Sequence, residues 1–285
     1  MLPRIDEERC TACGLCERDC IYGVIRMKDS AVAFVPGARC SECGHCAAIC
    51  PTGAISLPQL GEAPPIGERP SPEALESLIR ARRSVRWFTD EGVPRETVDR
   101  LLEAAAHAPS GCNARPVSVT VVIDPYVRRQ MEDIVQKLAR PAASLLASRT
   151  LLTALKHSPW LEARKMADPS LVSSMELLRK GVTGERPWVT MNAPVLLLFH
   201  ADPSRPTPGE DCVIAADHVS LLAETLSLGT CWNGILADFA QRLPVIRKRI
   251  GLPAGDRVYA ALSLGRPALR FTHEAPRQKL PVHYV

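Results

Sequence analysis

Eight of the eleven cysteines fall within the first fifty residues, in two runs of identical spacing. Cys10, Cys13, Cys16 and Cys20 form a C-x2-C-x2-C-x3-C run, and Cys40, Cys43, Cys46 and Cys50 repeat it thirty residues later. The glycine after the second cysteine recurs as Gly14 and Gly44, and a short apolar stretch follows each run (Val24-Ile25, Ala54-Ile55). Thiolates are soft ligands, and four packed this closely suit an iron–sulfur cluster. Structural zinc typically takes cysteine pairs separated by a longer loop and stands as the alternative. Disulfides would require an oxidising compartment. The segment Met1 to Glu8 has no apolar stretch of the secretory kind, so a cytoplasmic location is expected.

Residues 1–57 resemble the 2[4Fe–4S] bacterial ferredoxins. In that family three neighbouring thiolates grip one cluster and the fourth reaches across to the other. The resemblance implies Cys10, Cys13, Cys16 and Cys50 for one cluster, and Cys40, Cys43, Cys46 and Cys20 for its twin. Cys50 is followed by Pro51, as in the family, whereas Cys20 is followed by Ile21. His45, inside the second loop, is a candidate for tuning a cluster by hydrogen bonding, against a plain surface role.

A second chemistry is suggested by Arg82-Arg83-Ser84-Val85-Arg86. Fork-shaped cations beside a hydroxyl are what a phosphate monoester needs, although a basic helix end reads the same way. Three further segments follow: Ala108-Pro109-Ser110-Gly111-Cys112-Asn113-Ala114-Arg115-Pro116, Leu228-Gly229-Thr230-Cys231-Trp232-Asn233-Gly234 and Leu264-Gly265-Arg266-Pro267. Pro276-Arg277-Gln278-Lys279-Leu280-Pro281 lies near the end. In this order and spacing the set resembles the FMN-dependent nitroreductase family across residues 74–285.

That resemblance implies an FMN site. Arg82, Arg83 and Ser84 match the phosphate-binding segment, with Arg277 and Lys279 closing from the tail. Arg86 matches a cation near the flavin N1–O2 edge, where negative charge collects on reduction. Backbone N–H groups around Asn233 and Gly234, in the segment with Cys231 and Trp232, match those facing N5 and O4. Pro109, Ser110, Gly111 and Asn113 match a loop reaching a flavin bound mainly by the other subunit of an intertwined homodimer. One departure stands out: Arg115-Pro116-Val117 replaces the Gln-Pro-aromatic of many relatives. Cys112 and Cys231 sit inside these motifs as redox-thiol candidates, against the commoner role of a small buried apolar group.

The elements that must position these residues fall into two domains, at 1–57 and 73–285. Residues 58–72 form a strap with Pro58, Pro64, Pro65, Pro70 and Pro72, which cannot propagate a helix. Apolar spacing predicts helices over 73–83 and 94–107, and over 211–228, the last apolar nearly all round and ended by Gly229. β-branched or apolar runs predict strands at 117–123, 195–199 and 257–264. Residues 126–188 read as largely helical with breaks at Pro141, Pro159 and Pro169. They hold eleven basic and six acidic residues, a mildly basic cover for the flavin, with Trp160 and Trp188 as candidate pocket walls. The fold class is α+β: a nitroreductase-like α/β sheet domain in an intertwined dimer, preceded by a small ferredoxin-like domain.

Composition excludes other classes. The net charge, 35 − 31 = +4, is too small and dispersed for nucleic acid, and no apolar run reaches membrane length. Neither a G-x-G-x-x-G nor a P-loop motif is present. The expected function is an oxidoreductase passing electrons from two [4Fe–4S] clusters to FMN and on to a small organic acceptor of nitroaromatic, quinone or enone type. No side chain stands out as the general acid. An external ferredoxin-like protein or NAD(P)H would exchange electrons with it. The alternatives are a dehydrogenase using the clusters as electron exit, and a non-enzymatic electron-transfer or redox-sensing module.

Overall fold

The computed structural model describes residues 1–29, 31–146, 149–159, 187 and 189–285. Contacts divide the chain into two units: Met1–Ser71 with Ser110–Ala114, and Pro72–Pro109 with Arg115–Val285.

In the first unit the sequence repeat becomes a backbone repeat. Left-handed residues recur at the same interval: Ala12 and Glu42 (φ 53° and 54°), Gly14 and Gly44 (72° and 80°), Gly23 and Gly53 (59° and 62°). Each cysteine loop leads into a short helix, α1 (Leu15–Asp19) or α2 (His45–Ala48). Strand β1 (Arg4–Ile5) pairs antiparallel with β4 (Ile55–Leu57), and β5 (Gly61–Glu62) extends that sheet from within the proline-rich segment. Strands β2 (Ile25–Lys28) and β3 (Ala31–Phe34) form a hairpin. The core is small: Cys16, Ile25, Ala47 and Ile55 are its buried members, with Ile5, Val32 and Phe34 against them. So little apolar burial needs help from bound metal.

The second unit is built on a four-stranded antiparallel sheet in the order β6 (Ser118–Val122), β7 (Val195–Ala201), β9 (Arg257–Gly265), β8 (Gly229–Trp232). Every residue of β7 is buried, and its side chains alternate between two cores. Leu196 and Leu198 pack with Met131 and Val135 of α5 (Pro125–Leu146) and with Leu236 and Ala240. Val195, Leu197 and Phe199 pack with Val98 and Leu101 of α4 (Arg95–Ala106) and with Ala216 and Val219 of α7 (Pro208–Thr225). Helices α8 (Gly234–Arg242) and α9 (Pro244–Arg249) complete the first of these layers. Covering on both faces explains why β7 reads as a continuous apolar run rather than an alternating one.

The structure corrects the sequence reading in three places. Helix α7 stops at Thr225, not Leu228, in a Schellman turn: the Leu228 N–H donates to Ala223 O (2.9 Å) and the Ser227 N–H to Glu224 O (3.2 Å). Ser227 takes the left-handed position (φ 57°), so Gly229 opens β8 instead of ending the helix. Helix α7 is buried on most sides, as its nearly all-round apolar pattern predicts, with Val213 exposed. Helix α5 continues through position 141 as one helix; a proline inside a long helix removes only one ladder donor. The break expected at Pro159 agrees with the end of α6 (Arg149–Lys156), while Pro169, Trp160 and Trp188 lie outside the described residues. Among the described residues no helix is long and apolar enough to cross a membrane.

Candidate functional site

One set of four thiols gathers from both repeats. Cys10, Cys13, Cys16 and Cys50 line a single cavity, walled by Val32 and Ile55. Its fourth thiol therefore comes from the other repeat. In the second loop Cys40 and Cys43 are close enough to Cys46 to act on its charge. A polar contact brings Cys20 toward that loop: Asp19 Oδ2, beside Cys20, meets His45 Nδ1, beside Cys46, at 3.2 Å. Among the described residues no three Cys, His, Asp or Glu side chains converge on a single-ion site. Cys10, Cys13, Cys16 and Cys50 line a space instead.

The backbone is shaped for negative charge. The Val24 N–H donates to Cys20 Sγ (3.4 Å) and, thirty residues on, the Ala54 N–H to Cys50 Sγ (3.3 Å). The Glu42 N–H donates to Cys40 Sγ (3.3 Å). Left-handed residues within each loop (Ala12 and Gly14, Glu42 and Gly44) are of the kind that build N–H concavities suited to an anionic cluster. Burial raises the Cys16 thiol and pushes Cys46 up to about 11. Burial acts on Cys50 in the same sense, but the Thr52 hydroxyl and the N–H groups of Ala54, Thr52 and Gly53 together outweigh it, and Cys50 is lowered. The residues present thus fit iron–sulfur clusters.

In the second unit, α3 (Pro72–Ala81) delivers Arg82 to Arg86 onto the sheet edge. Ser84 bridges Thr230 in parallel fashion, and the Val85 N–H donates to Thr230 O at 2.9 Å. Phe88 then bridges Pro267, and the Thr89 N–H donates to Arg266 O. Gly229 makes this approach possible: a Cβ there would lie 2.3 Å from Val85 Cγ2. Thus the basic segment, the Thr230–Cys231 strand and the Gly265–Pro267 turn meet.

Within this cluster the two neighbouring arginines differ. Arg83 donates through Nη1 to the carbonyls of Arg80 (2.5 Å) and Arg82 (2.7 Å), closing the end of α3. Arg82 Nη1 is buried with no hydrogen-bond partner among the described residues. A guanidinium nitrogen so placed needs an acceptor, and a phosphate oxygen is a suitable one. Burial raises Glu224, against the pull of Arg82 and Arg83. Cys231, 3% exposed, is also raised by burial, with Arg86 and Arg82 opposing.

Asn233 is held on all sides. Its Oδ1 caps α8 by accepting the Leu236 N–H (3.0 Å), and its Nδ2 donates to Val189 O (2.6 Å) and Ser263 Oγ (2.9 Å). Its own N–H goes to Ala261 O (2.8 Å), so the donors left for a flavin edge are those of Gly234 and Ile235 in the first turn of α8. A Cβ built on Gly234 meets nothing within 4 Å, which leaves an open face at that helix end. The 189–190 turn is fixed from behind by buried Glu132, which accepts from the N–H groups of Val189 and Thr190 and from Thr190 Oγ1. Sequence reasoning missed Glu132 and Ser263; a lone acidic residue on an amphipathic helix gives no warning of such a role.

Other expected residues are placed elsewhere. Ser110, Gly111 and Asn113 group with the first unit, where Asn113 Nδ2 donates to Ser41 O at 2.9 Å. Cys112, Asn113 and Arg115 all have positive φ (53°, 54° and 44°), and Cys112 is exposed. Pro109 is exposed and Trp232 half-buried. The tail from Pro267 to Glu274 lines an open cleft of about 610 Å³ with Arg83 and Glu224. Arg277 and Lys279 are exposed beyond it. The fit to FMN therefore rests on Arg82, Ser84 and the open start of α8.

Comparison with known proteins agrees with this geometry. The profile of the nitroreductase family matches residues 79–266, and that of a 4Fe-4S dicluster domain matches residues 9–55. The chloronitrobenzene nitroreductase of Comamonas testosteroni is 27% identical over 202 residues, covering 69% of this chain and 88% of the relative. Iodotyrosine deiodinase 1 of Sus scrofa is 41% identical over 60 residues, 21% of each chain. An FMN-bound nitroreductase structure from Bacteroides fragilis superposes with a TM-score of 0.55 at 23% identity, over 74% of this chain and 98% of that one.

Proposed function

Since the chain belongs to the nitroreductase family and is an FMN-dependent oxidoreductase with an N-terminal iron–sulfur domain, we propose that it reduces a small organic acceptor with electrons drawn through two [4Fe–4S] clusters to FMN. The observation that carries this reading is the joint presence, in one chain, of a cavity lined by thiols from both repeats and a buried Arg82 Nη1 with no acceptor among the described residues. When bound, the clusters supply one-electron capacity and FMN the conversion between one- and two-electron chemistry.

The protein's own residues would bind and orient. Cys10, Cys13, Cys16 and Cys50 would hold one cluster, and Cys40, Cys43, Cys46 and Cys20 the other. Arg82 and Ser84 would grip the FMN phosphate, with Arg277 and Lys279 closing from the tail. Arg86 would place positive charge where the reduced flavin is negative. The N–H groups of Gly234 and Ile235 would face the flavin edge, held in place by the Asn233 cap. The loop carrying Pro109, Ser110, Gly111 and Asn113 would reach a flavin held by the second subunit of a homodimer. Asn113 hydrogen-bonds the carbonyl of Ser41, the neighbour of Cys40.

Exposed apolar side chains on α3 (Leu75, Ile79), on α7 (Val213) and along the tail (Leu269, Phe271, Leu280) support the dimer. The acceptor class is nitroaromatic, by likeness to the Comamonas relative, with quinones and enones as further candidates. The donor is a reduced ferredoxin-like protein or NAD(P)H, and the setting cytoplasmic.

Anaerobic purification with assay of iron, sulfide and flavin tests the cofactor set. The proposal expects about eight irons, eight sulfides and one FMN per chain. Zinc without sulfide, or no flavin after reconstitution, would refute it.

A further inference from the structure

The two halves of the first unit repeat in backbone but not in what surrounds their crossing cysteines. Thr52 Oγ1 lies 3.6 Å from Cys50 Sγ. A cysteine bound to iron is a thiolate, so the hydroxyl would be the donor. Thr52 is itself held: its carbonyl accepts from Arg9 Nε (3.2 Å) and Nη2 (2.9 Å), and Arg9 Nη1 pairs with Glu62 at 2.9 Å. This clamp places a guanidinium against the turn that follows Cys50.

Thirty residues earlier the pattern fails. Tyr22 stands where Thr52 does, and it is 44% exposed. Cys20 Sγ accepts the Val24 N–H (3.4 Å), as Cys50 accepts that of Ala54, but no side-chain hydroxyl among the described residues reaches it. Arg39, the counterpart of Arg9, is exposed and makes no such clamp among the described residues. Backbone N–H groups serve both sides: those of Ala54, Thr52 and Gly53 act on Cys50, and those of Val24 and Glu42 on Cys20 and Cys40. Among the described side chains the difference is a hydroxyl and a fixed Arg9–Glu62 pair on one side only.

We propose that Thr52, held by Arg9, is a positioning residue that makes the cluster of Cys10, Cys13, Cys16 and Cys50 easier to reduce than its twin. Reduction adds one electron and leaves the ligands unchanged, so the extra negative charge falls partly on sulfur. A donor to sulfur stabilises that state, and hydrogen bonds to cluster sulfurs are an established lever on potential. The inference rests on the two-cluster reading of the first unit.

The test is a redox titration of the full-length, cluster-loaded protein, followed by the electron-spin signals of the two reduced clusters. Thr52→Val keeps the shape and removes the hydroxyl. It should lower one reduction equilibrium about threefold or more, roughly 30 mV for one electron, and leave the other in place. Thr52→Ser should keep the original value. Both potentials unmoved in Thr52→Val, or Thr52→Ser shifting as far, would overturn the proposal. If Thr52→Val does not load, Thr52→Ala takes its place; failure of both to hold two clusters would make Thr52 a folding residue and also overturn it. A wild-type protein without iron and sulfide would sink the cluster reading itself, a result distinct from loaded clusters with unmoved potentials.

Discussion

Arg82 and Arg83 are adjacent in sequence and chemically identical, yet only one has an open role. Arg83 closes the end of α3, and Arg82 has a buried nitrogen with no hydrogen-bond partner among the described residues. Arg82→Ala should therefore weaken FMN binding roughly 10- to 100-fold, the value of one charge-assisted hydrogen bond or two. Arg83→Ala should cost little in affinity. Fluorescence titration of flavin-free protein measures both, and equal losses would contradict the assignment. The sequence could not separate the pair, because helix phase decides which guanidinium reaches back to the carbonyls. Cys231 offers a second case. It is buried with its thiol raised, so the reactive thiolate is scarcer than for a free cysteine at any pH below its own midpoint. Exposed Cys112 should react with iodoacetamide well before Cys231, as peptide mapping across a pH series would show.

At the scale of elements, the turn from α7 into β8 holds two residues with exchanged roles. Ser227 occupies the left-handed position that glycine favours, and Gly229 sits where a side chain would strike Val85. Ser227→Gly should raise stability by about 1 kcal/mol by relieving the left-handed strain. Gly229→Ala should lower it by about 1–3 kcal/mol through overpacking. Val85→Ala should restore part of that loss, because it removes the colliding methyls. Thermal melts of the three variants and the double mutant decide the matter.

Strands β6, β7 and β9 were legible because β-branched or wholly apolar runs have few other uses. The four-residue β8 was hidden, since its Gly-Thr-Cys-Trp carries no periodicity and Gly229 looks like a helix stop. Helices α8 and α9 also went unread: α8 begins within a motif and α9 has six residues. The cysteine spacing made the clusters legible, and the backbone repeat agrees with it. The Glu132 and Ser263 contacts that hold the Asn233 turn were not legible, because burial of single polar residues follows from tertiary packing.

The molecule as a whole joins a unit with few buried side chains to one with two full cores. Stability should divide accordingly. Removing iron with a chelator should unfold the first unit while leaving β7 and its neighbours protected. Amide hydrogen exchange would show lost protection in β1 to β5 and unchanged rates in β6, β7 and β9. The same division frames the proposed function: a metal-built entry for electrons and a sheet-built site for a flavin. Anaerobic turnover of a nitroaromatic acceptor, driven by reduced ferredoxin, tests that link directly. It should be compared between the native protein and a Cys10→Ser, Cys40→Ser variant that still holds FMN. The account predicts that ferredoxin-driven turnover is lost in the variant, while turnover with chemically reduced flavin persists. Equal ferredoxin-driven rates in the two proteins would contradict it, and would leave the clusters outside the reaction.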